Sequence, residues 1–226
     1  MFLKLFLPYK GKLLNIQDIL HNEFSFKYNI DIDILDSAEF ETPQRRKRAI
    51  IKIFKKGLSW GWPSRHKIVN AKAAIGHLPS LESGEKSNIP FHYARKHIDR
   101  HVLWMKHTPT GKSAFENIVH FPKKDDGTRI KGYESTYRRI RWDEPAPSIT
   151  MRNDAISSQR NVHPGHKLSD GTYSDARVLT PLELLLLTSL PNDWNIPIDT
   201  PEILIRQCLG ECVPPKLISN IINSIG

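Results

Sequence analysis

Four consecutive basic side chains, Arg45-Arg46-Lys47-Arg48, follow Gln44 where a turn enters a short β-branched run, Ala49-Ile-Ile-Lys-Ile-Phe54. Alternate residues of a strand face one side, so Gln44, Arg46 and Arg48 point together while Arg45 and Lys47 face the other way. Guanidiniums converging from a rigid edge can clamp a phosphate or hold a base carbonyl in a bidentate fork. By residue type alone, a solvated basic turn or a nuclear-localisation-like patch reads equally well. Other chemistry-bearing groups are less organised. The two cysteines, Cys208 and Cys212, are too close together for a zinc ribbon and have no second pair, so they read as half-buried thiols on or near a helix. His92, His97, His101 and His107 match no metal-binding pattern, and no metal is expected. Trp60, Trp62, Trp104 and Trp142 could stack on bases, but a loop-rich domain needs large side chains as core, which is the favoured reading.

The elements that must hold these residues fall into three zones, 1–56, 57–176 and 177–226. In the first, Asn15 to Phe24 carries apolar residues at helical spacing behind an Asn15 cap. Phe26 to Leu35 alternates apolar and polar side chains, as a half-buried strand does. The second zone has many prolines and glycines and no long amphipathic stripe, so it reads as loops and short strands. A stretch that long and irregular is unusual unless it lies along a ligand. The third returns to helix. Thr180 caps a run opened by Pro181, with Leu184 to Leu187 as core, and a last apolar-periodic run spans Lys216 to Ile225. Both ends thus read as parts of one α/β body, with the middle zone as the specificity element between them.

Composition sets the outer limits. The 226 residues carry 33 basic and 24 acidic side chains, a formal charge of +9, which favours a polyanionic partner. Hydrophobic content of 39% suffices for a core. Met1 to Pro8 is apolar but interrupted by Lys4, stopped by Pro8 and without a small-residue cleavage site, so it does not read as a signal peptide. No run approaches the roughly 18 apolar residues of a membrane span, and a reducing cytoplasm is expected.

Three segments carry a family resemblance. Ser37-Ala-Glu-Phe-Glu-Thr-Pro-Gln-Arg-Arg-Lys-Arg48 resembles the Asn-Ala-x-x-x-Gly-x-Pro-Gln-x-Arg-x-Arg motif of DNA cytosine-5 methyltransferases, and the strand with Tyr28 is similar to the segment leading into it. Arg177 to Trp194 resembles the family's Arg-x-Leu-Thr-x-x-Glu helix with its closing Phe-Pro and aromatic, with Leu190 for the usual Phe. Arg206-Gln-Cys-Leu-Gly-Glu-Cys-Val-Pro-Pro215 resembles the closing Gly-Asn-x-Val-Pro-Pro motif, with Glu211 for the usual Asn. All three stand in the family's order. Tyr137 to Thr150 is similar to the end of a target-recognition domain, and His163-Pro164 fits many members.

The resemblance implies an α/β fold: the C-terminal part of a Rossmann-like S-adenosylmethionine-dependent methyltransferase domain, with a loop-rich, mostly β target-recognition insert. It makes zone 1–56 the strands and helix bearing the arginine motif, 57–176 the target-recognition domain and 177–226 the closing helices. It places Arg46 and Arg48 beside a flipped cytosine, at its O2 edge and flanking phosphate, with Gln44 bracing the turn. Gly210, Glu211 and Cys212 would complete the wall of an S-adenosyl-L-methionine pocket. Arg95, Lys96, Arg100, Arg138, Arg139, Arg141, Ser148 and Thr150 become the expected contacts to double-stranded DNA. The family's Phe-x-Gly-x-Gly cofactor loop, Pro-Cys nucleophile and Glu-Asn-Val acid have no counterpart in these residues, and Phe2 to Pro8 resembles the stretch just after Glu-Asn-Val. The implied setting is a bacterial enzyme inactive alone, completed by a second polypeptide that brings the cofactor loop and Pro-Cys. A non-catalytic DNA-binding module and a truncated, inactive fragment are the alternatives.

Overall fold

In a computed structural model, residues 6–191 and 194–225 are described. Their longest regular unit is an antiparallel hairpin of β3 (Tyr28–Asp36) and β4 (Lys47–Lys55), in register from Tyr28 opposite Lys55 to Asp36 opposite Lys47. The alternating isoleucines expected of a half-buried strand are met here. Its turn is tightly specified. The Asp36 carboxylate accepts from the backbone N–H of Ala38 and of Arg46, and Ser37 Oγ donates to the Gln44 carbonyl at 2.6 Å. Buried Lys52 locks the hairpin to the next loop, donating to the carbonyls of Trp60 and Gly61 and lying 3.9 Å from the Trp62 ring centroid.

Ahead of it, β1 (Phe6–Tyr9) and β2 (Lys12–Asn15) form a short hairpin. Lys10 and Gly11 both take positive φ, the two-residue turn whose twist suits a hairpin. Helix α1 (Ile16–Phe24) follows, with the expected Asn15 cap accepting from Asp18 N–H at 2.9 Å. Residues 1–5, where most of the expected resemblance of Phe2 to Pro8 falls, lie outside the described residues, as do Asn192 and Asp193 of the second motif.

The middle zone is loop-rich, as its composition implies. Its β content takes the form of isolated bridges rather than regular strands among the described residues, and it holds two short helices the sequence reading did not assign, α2 (Ala71–Ile75) and α3 (Asp99–Lys106). Three helices follow: α4 (Pro181–Leu187), α5 (Glu202–Glu211) and α6 (Pro215–Asn223). Thr180 and Glu183 close a reciprocal capping box on α4, and Pro181 occupies the first turn, where its missing N–H costs nothing.

Three apolar clusters bind the zones. Leu35 and Phe40 pack against Leu217 and Ile221 of α6, with Trp60 and Trp62 at the margin, so both ends share one body. Ala71, Ile75, Ile140, Ala146 and Ile149 pack against Leu184, Leu187, Ile205 and Leu209. Trp104, Met105 and Ala114 pack against Val162, Ala176 and Val178. Trp142 borders the second of these, so Trp60, Trp62, Trp104 and Trp142 belong to core or its margin.

Candidate functional site

The arginine turn is built by the hairpin. Gln44 is fully buried and forms a parallel bridge to Ala146, while Arg45 N–H donates to the Ala146 carbonyl at 2.8 Å. The Gln44 carbonyl accepts from Ser37 Oγ, whereas neither atom of its side-chain amide has a partner among the described residues. Arg46 turns inward. Its Nη1 donates to the Ile149 carbonyl at 2.6 Å and its Nη2 to the Gly210 carbonyl at 2.7 Å, with Ser148 Oγ 3.4 Å away. One guanidinium therefore joins the hairpin, the 148–150 segment and the end of α5.

Arg48 shares that locale. Burial, and after it the positive charge of Arg48, hold the Arg46 guanidinium below the ordinary arginine range. Burial pushes the Cys212 thiol up, while Arg46 and Arg48 pull it the other way. Arg46, Arg48 and Cys212 thus lie within electrostatic reach of one another. Their availability differs: Arg48 is half-buried, and its one hydrogen bond among the described residues is from Nη1 to the Lys47 carbonyl at 2.8 Å. Arg46 is committed to protein carbonyls, and Arg48 keeps donors open.

The closing turn is arranged for close approach. A Cβ on Gly210 would stand 2.5 Å from the Cα of Met151, so α5 meets the Thr150–Met151 backbone only because residue 210 is glycine. Gly210 is buried, with its carbonyl taken by Arg46, which seals it from a pocket wall. Glu211 is exposed, and Cys212 is half-buried with Sγ donating to the Leu209 carbonyl at 3.3 Å. Cys208 and Cys212 border an apolar hollow of about 330 Å³, together with Leu185, Trp194, Leu204 and Val213.

The expected DNA contacts divide by burial. Arg139 corrects the expectation: it is 1% exposed and donates to the carbonyls of His163, Asp175 and Met105, so it serves the fold rather than a surface. Arg138 is mostly engaged by the Gly111 and Glu134 carbonyls and by Glu116. Arg95, Lys96, Arg100 and Arg141 are exposed, with Arg100 paired to Asp125 and Arg141 to Asp143 and Glu144. Exposed pairs of this kind are held weakly and exchange readily for phosphate. Ser148 and Thr150 are exposed beside the Arg46 anchor.

Sequence reasoning missed one buried polar network. Arg177, fully buried, forms a two-point pair with Glu183 at 2.9 Å on both arms and a third bond to Asp175. His163 sits within the same network. Its Nδ1 accepts from Gly165 N–H, and Nε2 lies 3.6 Å from Glu183 Oε1. Burial lowers its pKa to about 4, against the pull of Glu183 and Asp175. The signal for this network was the Arg-x-Leu-Thr-x-x-Glu spacing itself, which puts Glu183 at the third position of α4. Of the four histidines without a metal pattern, His92 is held by Thr180 and the Pro79 carbonyl, and no group of three metal-ligating side chains occurs among the described residues.

An antiparallel hairpin and closing helices gathered around an arginine turn, with a loop-rich insert between them, define part of an α/β S-adenosylmethionine-dependent methyltransferase domain. Comparison with known proteins agrees. The model of the C-5 cytosine-specific DNA methylase family matches residues 4–226. The chain is 62% identical over 223 residues to the Type II methyltransferase M1.HgaI of Avibacterium volantium, covering 99% of this chain and 62% of that protein. It is 27% identical over 201 residues to the Type II methyltransferase M1.HphI of Haemophilus parahaemolyticus, covering 88% of this chain and 48% of the relative. Among solved structures, a DNA modification methyltransferase encoded within an Escherichia coli prophage aligns with a TM-score of 0.60 at 16% identity, over 92% of this chain and 63% of the other. The Entamoeba histolytica methyltransferase EhMeth aligns with a TM-score of 0.54 at 13% identity, over 92% of this chain and 56% of the other.

This chain belongs to the C-5 cytosine-specific DNA methylase family. It spans between about half and three-fifths of the length of these relatives. No helix among the described residues is long and apolar enough to cross a membrane.

Proposed function

We propose that this chain is the target-recognising and closing part of a DNA cytosine-5 methyltransferase, holding an extruded cytosine for methylation. The observation that supports this is that Arg46 ties the segment carrying exposed Ser148 and Thr150 to the Gly210 carbonyl of α5, with the charges of Arg48 and Cys212 in reach of it. Methylating C5 requires a thiolate to attack C6, an acid to support N3, and a base removed from the duplex stack. Arg48, with open donors, holds the cytosine O2 or its flanking phosphate. Arg46 acts as a positioning residue, fixing the 148–150 segment against α5. Exposed Arg95, Lys96, Arg100 and Arg141 engage the DNA backbone.

The cofactor, S-adenosyl-L-methionine, supplies an electrophilic methyl group when bound. The fit of this chain is to one edge of that group: Glu211 is exposed and Cys212 half-buried, whereas Gly210 is sealed. Neither Cys208 nor Cys212 follows a proline, and the raised Cys212 pKa disfavours a thiolate. The nucleophile and acid therefore come from protein outside these 226 residues. Exposed Ile51 and Ile53 on β4, and α1 with no buried residue, support a further packing partner.

The test is methyl transfer from labelled cofactor into DNA. The chain alone should incorporate nothing, and adding the polypeptide that carries Pro-Cys should restore activity. Incorporation by the pure chain, or none with any such partner, would refute the proposal. Bisulfite sequencing of the product then reads the recognised site.

A further inference from the structure

Arg45 and Arg46 are neighbours in sequence and part in space. Arg46 turns toward α5, while Arg45 remains exposed and lines a hollow of about 300 Å³ on the other side of the 145–149 segment. The same hollow is lined by Arg138, Arg141 and Arg160 from the middle zone, and buried Arg139 also borders it. One acidic residue, Glu144, shares the lining. Arg160 is exposed, projects from a backbone with φ of +45°, and has no carboxylate within salt-bridge distance among the described residues. Arg45 has only Asp36, at 3.3 Å. Arg139 adds a charge that solvent screens poorly, and its Nε–H has no hydrogen-bond partner among the described residues.

Five guanidiniums border the hollow; Arg45, Arg138 and Arg141 already hold carboxylates at its rim, while Arg160 and Arg139 have no ion-pair partner among the described residues, and a fork-shaped donor suits the oxygens of a phosphodiester. We propose that this basin seats a single backbone phosphate of the DNA, with Arg160 and Arg45 as its two available arms. The inference rests on the DNA-methyltransferase reading above and deepens it, because Arg45 adjoins the arginine turn that presents Arg48. Neither Arg45 nor Arg160 is among the phosphate contacts expected from the motif resemblance.

The test is binding of the full chain to a fluorescein-labelled duplex by anisotropy, over a series of salt concentrations. Each phosphate neutralised contributes a slope of about 0.9 in the log–log salt plot. Arg160→Ala and Arg45→Ala should each lower the slope by about one. Because both arms serve one phosphate, the double variant should lower it by about one as well, rather than by two. Arg160→Lys should retain most of the slope, and Lys12→Ala, an exposed cation elsewhere, should change nothing beyond the general loss of one charge. Thermal unfolding of each variant verifies that the fold is kept.

Salt-dependent binding by the wild-type chain with an unchanged slope in both alanine variants would overturn the basin and leave the parent reading standing. No duplex binding by the wild-type chain would overturn both. Calorimetric titration with inorganic phosphate alone should give no saturable heat at micromolar to low-millimolar ligand. Saturable binding lost in Arg160→Ala, with the DNA slope intact, would reassign the hollow to a free anion and overturn the proposal.

Discussion

Single side chains separate into those that hold the fold and those left available for a ligand, and mutation should divide them the same way. Arg46→Ala strands the Ile149 and Gly210 carbonyls in a buried setting, so unfolding should become easier by about 2–3 kcal/mol. Arg48→Ala, with a single hydrogen bond to its own neighbour, should leave the thermal midpoint nearly unmoved. In the complemented enzyme it should lower methyl transfer at least tenfold, an expectation based on the loss of a charged bond of about 1.5–3 kcal/mol. Equal stability losses in the two variants would contradict this division. His163 gives a pH signature. Its folded pKa of about 4 lies below the unfolded value near 6.5, so the protein binds the proton better when unfolded. The stabilisation is complete above about pH 6.5 and is lost as pH falls toward 4, by about 3 kcal/mol at most. Glu183, Asp175, Arg177 and Arg139 all face this ring. Asp175, held below the usual carboxylate range, adds loss in the same direction at lower pH. Denaturant unfolding at pH 7 and pH 4.5, in wild type and His163→Asn, measures the difference, which should shrink in the variant.

At the level of elements, local chemistry was legible and long-range chemistry was not. Caps such as Asn15 and Thr180 act within three residues, and the β3 alternation is a property of neighbours, so these elements could be read directly. Helix α2 has five residues, too few for a period to show, and α3 buries only Trp104 and Met105, leaving no stripe. The β1–β2 hairpin hides in the Lys10-Gly11 turn, whose lysine is an uncommon choice for positive φ. Arg139 sits among arginines that read as one DNA-facing set, yet its acceptors are carbonyls 24 to 36 residues away that leave no mark beside it. Arg46 and Arg48 stay within reach of each other's charge; the inward anchoring of Arg46 depended on Gly210, 164 residues on. Gly210→Ala tests that crossing of α5 over Thr150 and Met151. The added methyl has backbone as its neighbour, so destabilisation of about 1–3 kcal/mol is expected, read by denaturant midpoint. The exposed face of β4 should behave oppositely: Ile51→Lys with Ile53→Lys should leave the chain's own stability within about 1 kcal/mol while weakening any complementation by an added protein carrying the Pro-Cys segment.

Across the whole molecule, the middle zone and the closing helices share apolar clusters, so the two are mechanically joined. Buried Arg177 illustrates this, since it reaches Leu81 in the insert and Glu183 in α4 at once. Replacing it by Met would leave Glu183 and Asp175 buried with one fewer cation, at about 3–5 kcal/mol. The apolar clasp of α6 on the β3–β4 hairpin has a temporal corollary. Trp60 donates to the Ile221 carbonyl across 161 residues, and Leu217 and Ile221 cover Leu35 and Phe40. A nascent hairpin emerging from the ribosome has no roof until α6 has been synthesised. During that interval Phe40 and Leu35 face solvent, where chaperones and proteases compete for them, and productive folding must wait for translation to reach α6.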